Sequence, residues 1–306
     1  MQGGKLKPQA PSRRFVLLSP CRNEEQFMRH TLDSVVRQSV PPATWVIVDD
    51  GSTDRTPQIL AEYAERYPFI RVVRRENRGR RAVGPGVVEA FYAGLAAVQL
   101  ADYAYLCKLD MDLELPDTYF ERVIEEMEAD PGLGNFSGKV YLRGEDGSLV
   151  AERTGDENAI GAAKFYRTAC FQAIGGFVRE VCWDGIDGHM CRMKGWRARS
   201  EDRPELRIVH LRQTGSSEHS LWTGRMRWGF GKYFMGSAPY YVTAVALYRM
   251  FERPYLVGGC GILWGYVRAM LAGAPRFEHR EFRRHLRRFE LSSLVLGKRR
   301  ALRRGH

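Results

Sequence analysis

The feature that most constrains this chain is a regular alternation of short apolar segments with longer segments of helical spacing over residues 15–129. The apolar segments are Phe15–Ser19, Trp45–Val48, Ile70–Val73 and Tyr103–Leu109. The intervening stretches predict helices over 24–38, with Asn23 as the cap, and over 57–67, 87–100 and 117–129. Because parallel strands need long crossover connections, which helices usually supply, the alternation predicts an α/β fold with a doubly wound sheet.

The second half of the chain is less regular. Residues 136–142 and 148–151 predict a hairpin around Gly144–Gly147, and 162–167 and 206–211 predict two further strands. Beyond Ser216 the pattern becomes helical and increasingly apolar. We therefore expect a disordered lead-in over 1–14, an α/β domain over 15–235 and a helical, basic extension over 236–306.

Polar residues follow each predicted strand of the first half. They form the segments Ser19–Glu25, Asp49–Asp54, Asn77–Arg81 and Asp110–Asp112. In open α/β sheets the ligand crevice lies at the carboxyl ends of the strands, so these segments should share one edge. Two aspartates one residue apart can hold a hard divalent cation against a diphosphate. Any one segment could equally be a turn with a helix cap; four together favour a binding site.

These residues resemble the motifs of the family-2 glycosyltransferases, which have the GT-A fold. The matching motifs include Asn23-Glu24-Glu25, Asp49-Asp50-Gly51-Ser52-Thr53-Asp54, Glu76-Asn77-Arg78-Gly79 and Asp110-Met111-Asp112. Farther along, Gly175-Gly176-Phe177, Trp183-Asp184-Gly185-Ile186-Asp187 and Gly195-Trp196 fit the acceptor half of that family. The resemblance covers roughly residues 15–215 and implies a mixed sheet flanked by helices. It also implies transfer of a sugar from a nucleotide-sugar donor, usually with inversion.

The resemblance and the strand-end positions together give a candidate donor site. Its predicted nucleotide-sugar-binding residues are Pro20, Arg22, Glu24, Asp49, Asp50, Asn77, Arg80, Arg81, Lys108 and Asp110. Asp112, helped by Asp110, is predicted to bind Mg²⁺ or Mn²⁺, for which oxygen ligands are suited. His210 could complete the metal site from the far side, although a lone histidine near a strand end is more often structural. A UDP-sugar is favoured because UDP is the commonest donor nucleotide in the family.

An inverting transfer needs a base that takes the proton of the acceptor hydroxyl. In the family this base is the Asp of a Glu-Asp pair that opens a helix, and here Trp183-Asp184 stands at that position. Asp187 lies one turn farther along the same face and is the competing candidate. Either aspartate could instead cap a helix.

The net charge of +11 is largely a property of the C-terminus, where residues 276–306 hold eleven Lys/Arg and three Glu. Arg276–Arg288 alternates basic residues with Phe277, Phe282, Leu286 and the adjacent Phe289, which predicts a basic amphipathic helix lying on an anionic membrane surface. The uncharged run Pro254–Val267 is 14 residues long, shorter than the roughly 20 that a spanning helix needs. It predicts a helical hairpin packed on the domain or dipping into the membrane interface. No nucleic-acid recognition motif accompanies the charge.

The six cysteines form no Cys-x-x-Cys pair, which is typical of buried thiols in a reducing compartment. We therefore expect a cytoplasmic enzyme, peripherally attached to the inner face of the plasma membrane. Its expected acceptor is a lipid-linked or polysaccharide glycan. The alternative is a degenerate GT-A protein that binds nucleotide-sugar and scaffolds a membrane complex. A sugar-1-phosphate nucleotidyltransferase is disfavoured, because Ser19–Glu25 supplies no glycine-rich loop.

Overall fold

A computed structural model describes residues 13–79, 84–144, 146–152, 154–212, 221–251 and 255–303, with only the backbone described at Leu221, Arg299 and Arg303. The strands are β1 (Phe15–Cys21), β2 (Thr44–Asp49), β3 (Ile70–Arg74), β4 (Tyr105–Leu109), β5 (Leu113–Glu114), β6 (Leu133–Gly138), β7 (Val140–Arg143), β8 (Leu149–Ala151), β9 (Ala163–Arg167), β10 (Arg197–Glu201) and β11 (Ile208–His210). The helices are α1 (Met28–Val36), α2 (Thr56–Arg66), α3 (Pro85–Leu95), α4 (Tyr119–Ala129), α5 (Thr168–Ala173), α6 (Trp183–Met193), α7 (Leu221–Met235), α8 (Pro239–Met250), α9 (Val257–Leu271), α10 (Arg280–Leu296) and α11 (Lys298–Arg303).

The main sheet has seven strands in the order β10-β6-β9-β4-β1-β2-β3. Strands β1 to β4 are parallel, whereas β9 runs antiparallel to both β4 and β6. The sheet is therefore mixed, as predicted. The chain moves outward from β1 to β3 and then returns to place β4 on the other side of β1. This reversal opens a crevice at the carboxyl ends of β1 and β4.

Both faces of the sheet are covered, which explains why its strands read as continuous apolar runs. Phe15 and Leu17 pack in one core with residues of α1, α2 and α4. Val16 and Leu18 point the other way and pack in a second core with residues of α3, α5, α6 and α10.

The second sheet has four strands in the order β5-β11-β7-β8. The predicted hairpin is confirmed between β7 and β8, but the expected continuous strand 136–142 is wrong. The chain leaves the main sheet after Gly138 and enters the second sheet at Val140. At the junction Gly138 lies so close to the carbonyl oxygen of Leu206 that a Cβ would stand 1.7 Å from it. Glycine is required where two backbones approach this closely.

One local prediction was also wrong, and one strand was not predicted. Asn23 does not cap the first helix, which begins at Met28. Asn23 has a φ of 54°, and its side-chain oxygen accepts a hydrogen bond from the backbone nitrogen of Thr53 at 2.8 Å. Strand β10 was not predicted, because its sequence Arg-Ala-Arg-Ser-Glu is polar and lies at the edge of the sheet.

The C-terminal helices pack in two different ways. Helix α9 contacts α7 and α8 backbone to backbone: a Cβ at Gly265 would lie 2.1 Å from the oxygen of Met226, and one at Gly259 2.3 Å from that of Ala246. Helix α10 instead packs its apolar face on α6, where the ring of Phe289 lies 5.0 Å from that of His189.

This packing corrects the expected use of α10. Its apolar side chains Phe282, Leu286 and Phe289 were expected to lie in a membrane interface, but they are buried in the protein. Phe282 and Leu286 share a core with Phe234 and Met235, so the core runs across the predicted domain boundary at residue 235. Among the described helices, none combines the length and the apolar character required to cross a bilayer.

Candidate active site

Asp50 lies at the carboxyl end of β2, where three arginines surround it. Its carboxylate pairs with Arg75 at 2.7 Å and with Arg78, and its backbone oxygen accepts a hydrogen bond from Arg22 at 2.5 Å. Arg22 also donates to the side-chain oxygen of Asn77 at 2.7 Å. The predicted residues Arg22, Asp50 and Asn77 are thus brought together in one charged cluster.

Gly51 allows these two segments to meet. It has a φ of +74°, and a Cβ here would lie 2.4 Å from the Cα of Asn77. The preceding Asp49 is buried and accepts a hydrogen bond from the backbone nitrogen of Ser52 at 2.8 Å, which shapes the turn. Pro20 pairs in register with Val48 at the adjacent end of β1.

The predicted phosphate-facing residues Arg80 and Arg81 lie outside the described residues. Arg75 and Arg78 were not predicted to belong to the site. Arg78 lies between the predicted residues Asn77 and Arg80 in the sequence. Arginines that hold a carboxylate in a crevice also present their remaining N–H groups to anions.

Lys108 and Asp110 form an ion pair at the end of β4. The Lys108 ammonium lies 2.5 Å from Asp110 and donates to the carbonyl oxygen of Gly161 at 2.8 Å. Lys108 is buried, whereas Asp110 is partly exposed at the crevice. A buried lysine needs such partners because an unpaired charge is costly to bury.

Asp112 lies two residues farther on and is buried beside His210 and Arg212. One carboxylate oxygen lies 3.2 Å from His210 Nε2 and 2.5 Å from Arg212 Nε. Burial opposes ionisation, but these two groups outweigh it and hold the pKa of Asp112 below its ordinary value. Burial likewise lowers the pKa of His210, but its hydrogen bonds to Asp112 and Glu152 outweigh burial and raise its pKa to about 9.

Arg212 also connects Asp112 to Glu24, another predicted donor-site residue. Its guanidinium lies 2.8 Å from a carboxylate oxygen of Glu24, which is buried after β1. Arg212 was not predicted from the sequence. Its position two residues after His210, where β11 ends, was the available signal.

One carboxylate oxygen of Asp112 is suited to a cation that the substrate helps to bind. In the part of the chain that the structure describes, no three His, Cys, Asp or Glu side chains form a metal-binding group. However, the Oδ1 atom of Asp112 is buried and receives no hydrogen bond from the described residues. A buried carboxylate oxygen without a donor is costly, and a cation would satisfy it. Mg²⁺ commonly uses one or two carboxylates and completes its shell with phosphates and water.

The two candidate bases at the start of α6 have different surroundings. Asp187 is buried, with Lys164 Nζ 2.6 Å from each carboxylate oxygen and the Tyr166 hydroxyl donating to one of them. Burial raises the pKa of Asp187, and Lys164 opposes that rise. Asp184 is exposed, and its Oδ2 atom lies against Gly161, where a Cβ would stand 2.8 Å from it. Asp184 is therefore accessible to an acceptor, whereas Asp187 is enclosed.

Lys164 fixes the backbone that carries Asp184. The same ammonium that binds Asp187 donates to the carbonyl oxygen of Asp184 at 2.7 Å. The ring of Trp183 lies 5.4 Å from both Lys108 and Lys164, within the range of cation–π attraction. Lys108, Gly161, Trp183 and Lys164 thus form a continuous bridge from Asp110 to Asp184. Lys164 was not predicted from the sequence. A lysine within the apolar strand Ala163–Arg167 indicates a buried partner of opposite charge.

Known proteins resemble this chain in sequence over about its first half. Residues 17–168, just under half of the chain, match the family model described as glycosyl transferase family 2. A poly-beta-1,6-N-acetyl-D-glucosamine synthase of Staphylococcus epidermidis is 29% identical over 133 residues. The match covers 43% of this chain and 30% of that synthase. A synthase of the same description from Staphylococcus aureus (strain COL) is 29% identical over 136 residues, covering 44% of this chain and 30% of the relative. The matched segment thus spans less than a third of the length of these relatives.

Solved structures share the fold at low sequence identity. GalNAc-T7 with UDP, GalNAc and Mn²⁺ has a TM-score of 0.56 at 14% identity, over 92% of this chain and 57% of that one. The mannosyltransferase PcManGT of Pyrobaculum calidifontis, in complex with GDP-Man and Mn²⁺, has a TM-score of 0.53 at 17% identity, over 94% and 88% of the two chains. TarS 1-349 of S. aureus with UDP-GlcNAc has a TM-score of 0.53 at 15% identity, over 85% and 73%. The chain therefore has the GT-A fold.

Proposed function

We propose that this protein is a divalent-metal-dependent, inverting glycosyltransferase that moves a sugar from a nucleotide-diphosphate sugar to a lipid-linked or polysaccharide acceptor. The single observation that carries the proposal is the bridge from Asp110 to Asp184. It joins a carboxylate at the donor end of the crevice to an exposed carboxylate at the start of α6. The names of the relatives and the ligands of the structural neighbours support a nucleotide-sugar donor.

The residues of the crevice divide between donor and acceptor. Asp50 would accept hydrogen bonds from the nucleoside, and the arginines paired with it would compensate its charge. Asp112 and Asp110 would hold Mg²⁺ or Mn²⁺, which acts as a Lewis acid for the charge that develops on the departing diphosphate. Arg212, which lies against Asp112, would add a second positive charge on the same side.

Asp184 is the better placed of the two candidate bases. As an exposed carboxylate it can accept the proton of the acceptor hydroxyl while that oxygen attacks the anomeric carbon. Asp187 is committed to Lys164 and Tyr166, and its role is to fix the helix start. We favour a UDP-sugar, in line with the ligand of TarS and with the N-acetylglucosamine polymer named for the curated relatives.

The test is transfer from a panel of UDP- and GDP-sugars with Mn²⁺, comparing the unmodified protein with Asp112→Asn, Asp184→Asn and Asp117→Asn. Asp117 is an exposed carboxylate paired with Arg37 on the surface and serves as the matched control. Removing a general base should lower kcat by roughly 10²- to 10⁴-fold, so Asp184→Asn should retain donor binding but lose turnover. Unchanged transfer in both Asp112→Asn and Asp184→Asn would contradict the assignment. Donor binding without turnover in the unmodified protein would favour the degenerate, scaffolding alternative.

A further inference from the structure

The exposed apolar side chains of this protein are concentrated in its C-terminal helices. Of the eighteen large apolar side chains that are exposed in the described residues, fifteen lie between Trp222 and Val295. The most exposed of them, Phe251 at 82%, lies in the α8–α9 turn. Exposed apolar side chains mark an interaction site where they form a contiguous patch.

We propose that the exposed apolar side chains at the end of α8 and just before α9 dock on the surface of an anionic lipid bilayer. The docking surface, here called the aromatic tip, consists of Leu247, Tyr248, Phe251, Tyr255 and Leu256. All five are about half exposed or more. The backbone nitrogen of Leu256 donates to the carbonyl oxygen of Met250 at 3.0 Å, which brings the two ends of the turn together. The hydrogen bond therefore holds the backbone that follows the tip side chains of α8 close to the backbone of Leu256.

Close packing holds α9 in place beside the tip. Its glycines face α7 and α8 at backbone contact distance, and its Ile262 and Tyr266 are buried in one core with Tyr233 of α7 and Val242 of α8. Leu256 is also held at a φ of 66°, a conformation that leucine rarely adopts. A strained, exposed leucine at the start of α9 points to a role for that side chain outside the protein's own packing.

The chemistry around the aromatic tip favours lipid over a second protein. Trp228 lies on α7 with its ring 4.9 Å from Arg225 and 5.4 Å from Arg249, and Arg225 Nε would lie 3.8 Å from a Cβ at Gly258 beside the tip. Tryptophan, tyrosine and arginine together are typical of the membrane–water interface, where the rings sit at headgroup level and the charges reach water.

The distribution of charge selects an anionic bilayer. Residues 221–303 contain sixteen Lys/Arg and four Glu, a net +12, against +11 for the whole chain. The rest of the chain is thus nearly neutral. Basic residues near an anionic leaflet are attracted to it, and each one strengthens the binding. The exposed arginines of α10, including Arg284, Arg287 and Arg288, belong to this basic region, while the apolar face of α10 is buried.

The experiment is vesicle flotation of the full chain, which does not require sugar transfer and so succeeds or fails independently of the proposed function. Vesicles of phosphatidylcholine alone are compared with vesicles containing phosphatidylglycerol. The aromatic-tip variant is Phe251→Ser/Tyr255→Ser/Leu256→Ser. The matched control is Val72→Ser/Leu149→Ser/Val150→Ser, which removes three exposed apolar side chains from the α/β domain.

The unmodified protein and the control should float with the anionic vesicles, and added salt should weaken their binding. The aromatic-tip variant should bind about tenfold or more weakly, because three apolar side chains no longer enter the interface. A third variant, Arg284→Gln/Arg287→Gln/Arg288→Gln, should lose the preference for anionic vesicles. Flotation of the aromatic-tip variant equal to that of the unmodified protein would overturn the proposal. So would absence of flotation in the unmodified protein, or a lipid-free dimer that the aromatic-tip variant converts to a monomer.

Discussion

Lys164 and Asp187 form a buried ion pair in which the lysine ammonium lies 2.6 Å from each carboxylate oxygen, and neither side chain is more than 1% exposed. The pair joins strand β9 to helix α6 and sets the start of the helix that carries Asp184. It therefore links the stability of the second core to the position of the candidate base.

Removing one partner of this pair should be strongly destabilising. Lys164→Met leaves the Asp187 carboxylate buried without its cation, and breaking a buried pair in this way costs about 3–5 kcal/mol. Lys164→Met/Asp187→Leu should recover much of that loss, because no unpaired charge remains. Urea unfolding of the two variants measures the difference. Equal stability of the single and double variants would show that the pair does not hold the helix start.

The two aspartates of α6 should separate stability from turnover. Asp187→Asn should lower the free energy of unfolding by about 3–5 kcal/mol, because the Lys164 ammonium stays buried without its anion. Asp184→Asn should change unfolding by less than about 0.5 kcal/mol, because the side chain is exposed. Denaturant unfolding and single-turnover transfer on the same samples check both expectations. A large loss of stability in Asp184→Asn would contradict its assignment as an accessible base.

Gly51 and Gly79 provide a matched test of the contact between the second and third strand ends. Both have a φ near +74°, at +74° and +73°, but a Cβ at Gly51 would lie 2.4 Å from Asn77 whereas one at Gly79 meets nothing within 4 Å. Gly79→Ala should cost about 1 kcal/mol from backbone conformation alone. Gly51→Ala should cost more, and it should weaken donor binding because Asn77 and Arg22 must move. Calorimetric binding of the donor nucleotide and urea unfolding measure the two effects.

The backbone contact between α7 and α9 can be tested in the same way. Gly265→Ala places a methyl group 2.1 Å from the oxygen of Met226, whereas Gly224→Ala on α7 meets nothing within 4 Å. Gly224→Ala should stabilise by up to about 1 kcal/mol through helix propensity. Gly265→Ala should destabilise, since overpacking forces shifts that cost roughly 1–3 kcal/mol. Thermal unfolding distinguishes them, and stabilisation by both changes would rule out close packing.

His189 predicts a dependence of stability on pH. Burial, with Arg192 and His285 nearby, lowers the pKa of His189 well below its ordinary value. The folded state therefore binds fewer protons than the unfolded state once the pH falls below the unfolded pKa of about 6.5. The free energy of unfolding should then decrease on acidification, by at most about 1.4 kcal/mol per pH unit for this group. Urea unfolding between about pH 7 and about pH 5.5 should show that the free energy of unfolding depends less steeply on pH in His189→Leu than in the unmodified protein.

The sequence predicted most of the central sheet because its strands are buried on both faces. Phe15–Ser19 and Trp45–Val48 are short, almost entirely apolar runs, which is the pattern of a strand covered on both faces, and both are strands. The strand Arg197–Glu201 was not predicted because its sequence is charged. At the edge of the sheet these charges form ion pairs, for example between Arg199 and Glu126 at 2.9 Å. The break between β6 and β7 depends on an approach to Leu206, far along the chain, that no local pattern contains.

The candidate site was predictable to the extent that it follows strand ends. Asp50, Asn77 and Asp110 lie where the alternation of strands and helices placed them. Lys164 and Arg212 were not anticipated, because each acts through a partner distant in sequence: Lys164 through Asp187, and Arg212 through Glu24 and Asp112. Arg80 and Arg81 lie outside the described residues, and their phosphate role stays a prediction.

The burial of Phe282, Leu286 and Phe289 on α6 has a practical consequence for anyone who handles this protein. A fragment ending at Met235 would lack α10 and so would expose the face of the helix carrying Asp184 that α10 covers. Expression of a trimmed catalytic fragment should give aggregated material. The C-terminal residues are as much a part of the folding unit as the first strand.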